Sequence, residues 1–418
     1  MMRIGIFSDT YTPQMSGIVV VIDIFRRNMT KLGHEVVVFA PKPLGYKEDD
    51  PNVVRFNALP GLFYDDYLTS VFFSPVALRH IKKKQLDIIL ILTPSQIGLL
   101  GVAAAKKFRI PLVSQYSTDL FEYVMLYPEV LPGIIALTGI ASFSIKAKPS
   151  ELLSLAREVG RRRRGSTPFS QSLVKNCITL LHNNCDAVVS LSRKKQQQMI
   201  DWKTETRLEM IPTGVDALPT TKNVDKLRDK LGIAPDDKVV LFAGRIAAEK
   251  NLDLLVDCFD RLVKLVPNAR LLFVGDFEYR PILEEKASHL KNADRVIFTG
   301  RVPHEELGDY YATSDVFGFP SLTDTQGLVV HEAALAGLPL VLVDTEVSEL
   351  LIPGETGFYA RNNPRNMATT LAKVLTLPKK DYQQLSANAK ARAEQFSEFE
   401  QTKKIVALFE ELIATRKA

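Results

Sequence analysis

Short apolar runs alternate along most of the chain with longer stretches in which apolar residues recur at helical spacing. The apolar runs of the N-terminal half are Ile4–Ser8, Val36–Ala40, LDIILILTP and PLVSQY. Those of the C-terminal half are VVLFAG, ARLLFVGD, RVIFTG, DVFGFP and LPLVLVD. Strands that are apolar throughout are typical of parallel sheets covered by helices on both faces. The pattern therefore predicts an α/β fold with two doubly wound, Rossmann-like domains in series, whose ligands bind at the carboxyl ends of the strands.

The change from one domain to the other is predicted within the segment IPTGVDALPTT, which collects turn-forming residues after a last strand. A chain of 418 residues is too long for one ordinary hydrophobic core. We therefore predict an N-terminal domain over residues 1–216 and a second domain over residues 217–395. The remaining residues, 396–418, have helical spacing and predict a helix that can dock anywhere, including back on the N-terminal domain.

Composition indicates a globular protein, since 46% of the residues are hydrophobic and 24% are charged. The three cysteines fit no metal-binding spacing, and their odd, sparse number favours a reducing compartment. The start MMRIGIF is already strand-like and lacks the features of a signal peptide, so a cytoplasmic protein is predicted. The motifs G-x-G-x-x-G, GxxxxGK[ST], GxSxG and HExxH are missing from the sequence, so dinucleotide, esterase or zinc chemistry is not indicated.

The net charge is +5, and the basic excess lies in the N-terminal half, where it gathers in short clusters. Such clusters are most often solvated faces, but they also suit an anionic surface. Val130–Ile145 carries no charge and is followed by Lys146, Lys148 and Arg161–Arg164. This segment is too short to span a bilayer comfortably. It predicts either an interfacial segment, peripheral at the inner face of the cell membrane, or a buried helix lining the cleft between the domains. No nucleic-acid partner is predicted.

A polar loop that follows the run DVFGFP and opens a helix of small residues carries the strongest chemical signal. The N–H groups of Gly327, Leu328 and Val329 would lie at the helix N-terminus, which is a favourable place for phosphate. Asp324 and Glu332 bracket this turn with carboxylates. Each carboxylate taken alone would more often be an ordinary loop or helix residue. Together with the turn, they suit a sugar nucleotide, whose hydroxyls need acceptors while its diphosphate needs donors.

Arg245 and Lys250 lie in the loop GRIAAEKN, after the first strand of the second half. Two cations at the carboxyl end of a strand can neutralise a diphosphate and stabilise it as a leaving group. The alternative is a pair of surface cations near a helix start, where the helix dipole makes them mildly unfavourable. No Asp-x-Asp pair follows a strand, so a mechanism without metal or other cofactor is predicted.

Four strings in the second half, FAGRIAAEKN, LLFVGD, VIFTGRVP and PSLTDTQGLVVHEAALAGLP, resemble the donor half of retaining family 4 glycosyltransferases with the GT-B fold. The start RIGIFSDTYTPQMSGIVVVI and the linker IPTGVD resemble the other half of the same family. YSTDLFEY and the linker resemble, more weakly, the branch that glucosylates diacylglycerol and related membrane lipids. The resemblance covers nearly the whole chain and implies two Rossmann-like domains that face each other across a cleft.

The resemblance implies a role for each of the donor-side residues. Arg245 and Lys250 would hold the diphosphate, Glu332 the ribose hydroxyls, and Asp324 the hydroxyls of the donor sugar. Anomeric configuration would be retained by front-face attack, in which the departing phosphate helps to deprotonate the acceptor.

Three further positions are implied to touch the donor through their backbone. Gly17, in the N-terminal loop, would contact phosphate from the other side of the cleft. The backbone near Arg301 and Val302 would meet the nucleotide base.

The chain departs from the family at three positions. Asp324 stands where Glu is usual, Leu92 replaces a frequent histidine, and Ser117 replaces the histidine of a Tyr-His-Thr string. Ser117 can donate and accept a hydrogen bond but cannot carry positive charge near the reacting centre. Asp119 is a candidate to compensate, so the residues predicted to act in catalysis are Asp324, Arg245, Lys250, Ser117 and Asp119.

The predicted function is transfer of a hexose from a nucleotide-diphosphate sugar, such as UDP-glucose, to a membrane lipid such as diacylglycerol. Two alternatives remain open. One is a donor-binding but catalytically impaired homologue that acts as a partner subunit, and the other is an enzyme with a soluble glycan acceptor.

Overall fold

The computed structural model describes residues 1–14, 16–60, 68–70, 75–126, 169–220 and 224–417. It divides the chain into two compact units, one comprising Met1–Thr213 with Glu398–Ala418 and the other comprising Gly214–Ser397. The apolar segment Val130–Ile145 and the basic residues that follow it, up to Arg164, lie outside the described residues.

The described residues form two sheets, one in each unit. The sheet of the first unit contains β1 (Arg3–Phe7), β2 (Glu35–Lys42), β3 (Val53–Pro60), β4 (Leu68–Ser70), β5 (Ile88–Ile91), β6 (Leu112–Tyr116), β7 (Ala187–Ser190) and β8 (Arg207–Met210). The sheet of the second unit contains β9 (Lys238–Ala243), β10 (Ala269–Val274), β11 (Val296–Phe298), β12 (Val316–Phe319), β13 (Leu340–Leu342) and β14 (Gly357–Tyr359). β3, β4, β7 and β14 are additional to the predicted strands, whereas β8 is the last strand that was expected before the linker.

The first sheet has the order β4-β3-β2-β1-β5-β6-β7-β8 and is parallel except for the pair β3–β4. In its centre, Ile6 of β1 lies opposite Val38 of β2 on one side and Leu90 of β5 on the other. The second sheet has the order β11-β10-β9-β12-β13-β14, and all of its pairs are parallel. Both sheets therefore grow outward in two directions from a central pair of strands, as in doubly wound folds.

The helices cover the sheets. They are α1 (Gly17–Lys31), α2 (Pro75–Lys83), α3 (Gln96–Phe108), α4 (Leu120–Leu126), α5 (Phe169–His182), α6 (Arg193–Asp201), α7 (Val224–Lys230), α8 (Asp253–Leu265), α9 (Arg280–Ser288), α10 (Leu307–Ala312), α11 (Leu328–Leu335), α12 (Pro364–Leu375), α13 (Lys379–Glu394) and α14 (Glu398–Lys417). This architecture confirms the predicted α/β class with two doubly wound units.

Aromatic side chains from adjacent strands fill the core of the second unit. The ring of Phe242 on β9 lies 6.2 Å from that of Phe273 on β10 and 6.3 Å from that of Phe319 on β12. All three side chains are buried. Since these rings lie near the carboxyl ends of the strands, their close packing supports the loops that follow the strands.

The last helix, α14, belongs to the first unit. Arg27 of α1 forms an ion pair with Glu398 at the start of α14, and Arg207 of β8 forms a bidentate pair with Glu411, at 2.6 and 3.0 Å. Between these ends, Phe409 is fully buried, whereas Phe399 is 37% exposed.

We expect Phe409→Ala to lower the free energy of unfolding by about 3 to 5 kcal/mol, because it leaves a cavity in a packed interior. Phe399→Ala, on the same helix, is the matched control and should cost less than about 1 kcal/mol. Urea unfolding followed by circular dichroism measures both. Equal costs for the two substitutions would show that α14 does not pack on the first unit as described.

Candidate functional site

The candidate site of the second unit lies where the carboxyl ends of β9 and β12 meet. These strands are neighbours, but the chain continues from β9 to β10 and β11 on one side and from β12 to β13 and β14 on the other. Such a divergence leaves a crevice at the carboxyl edge of the sheet. Arg245 and Lys250 follow β9, and Asp324 and Gly327 follow β12. The strand order thus places the predicted cations and carboxylate at one edge.

Close backbone contact holds the loops after β9 and β10 together. A Cβ atom on Gly275 would lie 2.0 Å from the carbonyl oxygen of Gly244, so a side chain there would separate the loops. The amide of Ile246 donates to the carbonyl of Asp276 at 3.2 Å, and the amide of Tyr279 donates back to the carbonyl of Ile246 at 3.1 Å. These bonds fix the backbone next to Arg245.

Arg245 is oriented by two neighbours from this pair of loops. Its guanidinium donates to Glu249 at 2.9 Å and lies over the ring of Phe277, with its carbon 4.7 Å from the ring centroid. The Arg245 side chain is 50% exposed. The cation is therefore held in place while one side of it remains accessible to an anion.

Lys250 and Asp324 form the central ion pair of the site. Lys250 Nζ lies 2.6 Å from Asp324 Oδ1, and the two side chains are only 15% and 16% exposed. Burial acts to raise the pKa of the Asp324 carboxyl, but the adjacent Lys250 ammonium, with a smaller contribution from Arg245, holds it below its usual value. Asp324 is therefore a carboxylate at neutral pH.

The second oxygen of Asp324 and Ser321 Oγ are both buried, and neither makes a hydrogen bond of ordinary geometry among the described residues. The Ser321 hydroxyl is still near enough to help lower the pKa of the Asp324 carboxyl. A buried polar atom without a partner is costly, so it is commonly satisfied by water or by a ligand. The Asp324 carboxylate thus keeps one oxygen for a hydroxyl donor.

α11 begins next to this carboxylate without a side-chain cap. Its N-cap is Gly327, with φ 74° and ψ 74°, and this residue provides no side-chain cap for the first turn. Gly327 is required because its φ lies in the left-handed region that other residues rarely adopt. The N–H groups of Leu328 and Val329 lie in the first turn, where α-helical hydrogen bonding leaves them without partners. An uncapped helix start is favourable for an anion, and the binding of phosphate there remains a prediction.

Glu332 accepts a hydrogen bond from a buried tyrosine. Tyr311 of α10 donates its hydroxyl to Glu332 Oε2 at 2.7 Å, and His304 Nε2 lies 3.4 Å from Oε1. Glu332 is 8% exposed and Tyr311 is 1% exposed. Burial, reinforced by the Glu332 charge, raises the pKa of Tyr311 well above its usual value, so the hydroxyl stays a donor. The His304 side chain is 47% exposed, so it lies on the solvent side of the buried Glu332 and Tyr311.

Sequence reasoning missed Tyr311 and His304. The remaining predicted donor contacts, Arg301 and Val302, follow β11, which is two strands away from β9. Arg301 is exposed, whereas Val302 is partly buried against the core of the unit. They share the carboxyl edge with the other residues but lie further along it.

In the first unit, the corresponding position between β1 and β5 is filled by Asp9. Its carboxylate accepts hydrogen bonds from Thr93 Oγ1 at 2.6 Å and from the amides of Ile97, at 2.8 Å, and Gly98, at 3.4 Å. Burial raises the pKa of Asp9 to about 6, although these hydrogen bonds lower it. Asp9 therefore occupies the N-terminus of α3 with a carboxylate of the chain itself. Its position directly after a strand was the available signal, and it was overlooked.

Gly17 begins α1, whose N-cap Ser16 accepts a hydrogen bond from the amide of Val19. A Cβ atom on Gly17 would meet nothing within 4 Å, so the packing of this unit does not require glycine there. The predicted contact between Gly17 and a phosphate remains a prediction.

Ser117 and Asp119 follow β6 and differ in their surroundings. Gln115 Nε2 donates to Ser117 Oγ at 3.0 Å, and Ser117 is partly exposed. Asp119 is buried, and its two oxygens accept hydrogen bonds from the Tyr116 hydroxyl, at 2.8 Å, and from the ammonium of the buried Lys195. The contacts of Asp119 favour a structural role, and its predicted catalytic role stays a prediction.

Across the ranges that the structure describes, no group of three or more His, Cys, Asp or Glu side chains is arranged to hold a metal ion. In the same ranges no helix combines the length and apolarity needed to cross a membrane. Cys177, Cys185 and Cys258 form no disulfide within the part of the chain that the structure describes.

Comparison with known proteins gives two family matches that together cover most of the chain. Residues 15–217 match Glycosyltransferase Family 4, and residues 223–392 match Glycosyl transferases group 1. An alpha-monoglucosyldiacylglycerol synthase of Acholeplasma laidlawii is 30% identical over 378 residues, which cover 87% of this chain and 85% of the relative. The protein of the same name from Streptococcus pneumoniae is 29% identical, covering 81% and 70%.

Among solved structures, HepE of Anabaena in complex with UDP and glucose superposes with a TM-score of 0.68 at 18% identity, covering 98% of this chain and 100% of that one. At this identity the likeness shows the fold alone.

His331, next to Glu332 on α11, is buried against Phe396, and burial lowers its pKa to about 4. A histidine whose pKa is lower in the folded than in the unfolded chain supports stability above about pH 6.5, and this contribution is lost as the pH falls toward the folded value. Between about pH 7.5 and about pH 5, the wild type should therefore lose roughly 2 kcal/mol more stability than His331→Leu.

Urea unfolding at the two pH values measures this difference. The exposed His80 of α2 provides the control, because His80→Leu removes a histidine that is not buried. If the wild type and His331→Leu lost the same stability on acidification, His331 would not be buried as a neutral ring.

Proposed function

Because the chain belongs to the GT-B glycosyltransferases of group 1 and family 4, we propose that it moves a hexose from a nucleotide-diphosphate sugar, such as UDP-glucose, to a membrane lipid such as diacylglycerol. The Lys250–Asp324 pair beside the uncapped start of α11 carries the proposal, since it combines a cation, a carboxylate and free amides at one strand edge. The names of the two bacterial relatives support the lipid acceptor. The UDP and glucose bound to HepE support the donor.

Each part of the donor is proposed to bind the residues that complement its charge and its hydrogen-bonding groups. Its diphosphate binds the amides at the start of α11 and the cations Arg245 and Lys250, because oriented amides and cations both stabilise phosphate charge. Glu332, held by Tyr311 through Oε2, accepts from the ribose hydroxyls through Oε1, which His304 also approaches at 3.4 Å. Asp324 Oδ2, buried without a partner, accepts from a hydroxyl of the hexose. The backbone near Arg301 and Val302 meets the base.

The reaction follows from the same groups. The bond between the hexose C1 and the diphosphate oxygen breaks, and a bond between C1 and the acceptor oxygen forms on the same face, so the configuration is retained. The acceptor proton passes to the departing phosphate. Arg245 and Lys250 stabilise the leaving group electrostatically, so the proposed mechanism needs no metal ion.

The first unit is proposed to contribute the acceptor side. Gly17 contacts the phosphate with its backbone, and Ser117 offers a hydroxyl for hydrogen bonding near the reacting centre. Asp119 holds the loop that carries Ser117, because Tyr116 and Lys195 engage both of its oxygens. The basic clusters of the N-terminal half bring the enzyme to the anionic inner face of the cell membrane.

The purified chain should form a glucolipid from UDP-glucose and diacylglycerol in mixed micelles, with the α-configuration of the donor retained and with turnover unchanged by EDTA. Replacing both Arg245 and Lys250 by Met should lower kcat/KM by at least about 100-fold, because leaving-group stabilisation is lost. Mass spectrometry measures turnover, and NMR of the product gives its configuration.

Lys286→Met is the matched control, since Lys286 is a cation of the same unit that pairs with Asp253 and Asp257 instead. A panel of UDP- and GDP-sugars identifies the donor. Donor binding without any product would favour the impaired partner subunit, which the exchange of His for Ser117 motivates. Transfer to soluble glycans alone would overturn the lipid acceptor.

We also expect the protein to bind vesicles that contain anionic lipid, and to be released as salt is added, because screening weakens the attraction of Lys and Arg to the surface. Co-sedimentation with vesicles measures the bound fraction. Equal binding to neutral and anionic vesicles would contradict electrostatic attachment.

A further inference from the structure

We propose that Asp324 competes with the donor's diphosphate for Lys250, so that the free nucleotide diphosphate binds weakly and leaves once the hexose has been transferred. This inference rests on the proposed function, but it concerns the release of one product, which neither the family nor the donor contacts determine. It follows from the way in which the ion pair is built.

Lys250 is neutralised by a carboxylate of its own unit. Its ammonium contacts Asp324 Oδ1 at 2.6 Å, and the side chains are 15% and 16% exposed. Charges in such a partly buried pair interact more strongly than they do in water, and separating them leaves each without its partner. A diphosphate that recruits Lys250 must therefore offset the loss of this pair.

The hexose changes this balance because it supplies a second set of partners to Asp324. One carboxylate oxygen is already buried without a hydrogen-bond partner in the described residues. Hydroxyls of a bound hexose can donate to the carboxylate and satisfy it, and Lys250 is then released to the diphosphate. After transfer, the hexose hydroxyls leave with the product and the Lys250–Asp324 ion pair forms again. The nucleotide diphosphate then no longer contacts the Lys250 ammonium and binds more weakly.

The other cation of the site is less suited to this role. Arg245 also has an internal carboxylate partner, Glu249, at 2.9 Å, but its side chain is 50% exposed. Ion pairs that are open to solvent contribute little, because water and salt screen them. Arg245 can therefore serve the diphosphate throughout, while Lys250 distinguishes the donor from the product.

Isothermal titration of the full chain with UDP and with UDP-glucose, in the absence of acceptor, tests this inference. Asp324→Asn should lower the Kd for UDP by about 3- to 10-fold, because Lys250 is no longer held by a carboxylate. The preference for UDP-glucose over UDP should shrink at the same time. Asp324→Ser provides a second variant, and thermal unfolding confirms that each is folded.

A double-mutant cycle separates competition for Lys250 from simple repulsion between Asp324 and the phosphates. In a Lys250→Met background, Asp324→Asn should no longer improve UDP binding. Asp315→Asn is the matched control, since Asp315 pairs with Lys238 at 3.1 Å at the opposite end of β9. It should leave the Kd for UDP unchanged.

The outcomes distinguish the inference from the proposed function. An unchanged or higher Kd for UDP in folded Asp324→Asn would overturn the competition while leaving donor binding intact. A gain that persists without Lys250 would overturn it as well and would assign the effect to repulsion. If the wild type bound neither UDP, UDP-glucose nor the corresponding GDP compounds, the proposed function would fail and this inference with it.

Discussion

The order of the strands in the second sheet is the constraint on which the candidate site depends. β9 and β12 are far apart in the sequence, yet they are hydrogen-bonded neighbours with the same direction. Their carboxyl ends must therefore lie side by side, which brings Lys250 within 2.6 Å of Asp324 although 74 residues separate them. Because the chain departs in opposite directions after the two strands, the helices do not close the space above this edge. The close packing of Gly244 and Gly275 lets the neighbouring loop carry Arg245 to the same place.

The two units share a doubly wound design but use the position between their central strands differently. In the first unit, Asp9 places a carboxylate at the start of α3, and this intramolecular anion satisfies the amides of Ile97 and Gly98. In the second unit, α11 starts at Gly327 with no side-chain cap. An anion can therefore bind the second helix start at little cost, whereas the first is already occupied. This difference is the physical reason for proposing that the diphosphate binds to the second unit of this glycosyltransferase.

Buried polar groups fix the carboxylates of both units, but with different consequences. Tyr311 engages one oxygen of Glu332, whose other oxygen lies 3.4 Å from His304 Nε2, and Lys250 engages one oxygen of Asp324, whose other oxygen has no partner among the described residues. In contrast, both oxygens of Asp119 are engaged within the protein. Burying a charge is costly unless it is paired. The number of oxygens that are paired within the protein therefore decides whether a carboxylate can still accept a hydrogen bond from a bound molecule. The same reasoning makes the Lys250–Asp324 pair a candidate for controlling product release.

The sequence by itself determined the fold class, because short runs that are apolar throughout are typical of buried strands, and their regular alternation with helical segments favours parallel sheets. It also identified Arg245 and Lys250 by residue type and by their place after a strand, together with the glycine turn before α11, since these signals are local. Only the tertiary structure decided which side chains pair. The contact of Tyr311 with Glu332, the capping of α3 by Asp9 and the burial of Asp119 all join distant segments. Their partners are set by strand order and packing, which no short stretch of sequence contains.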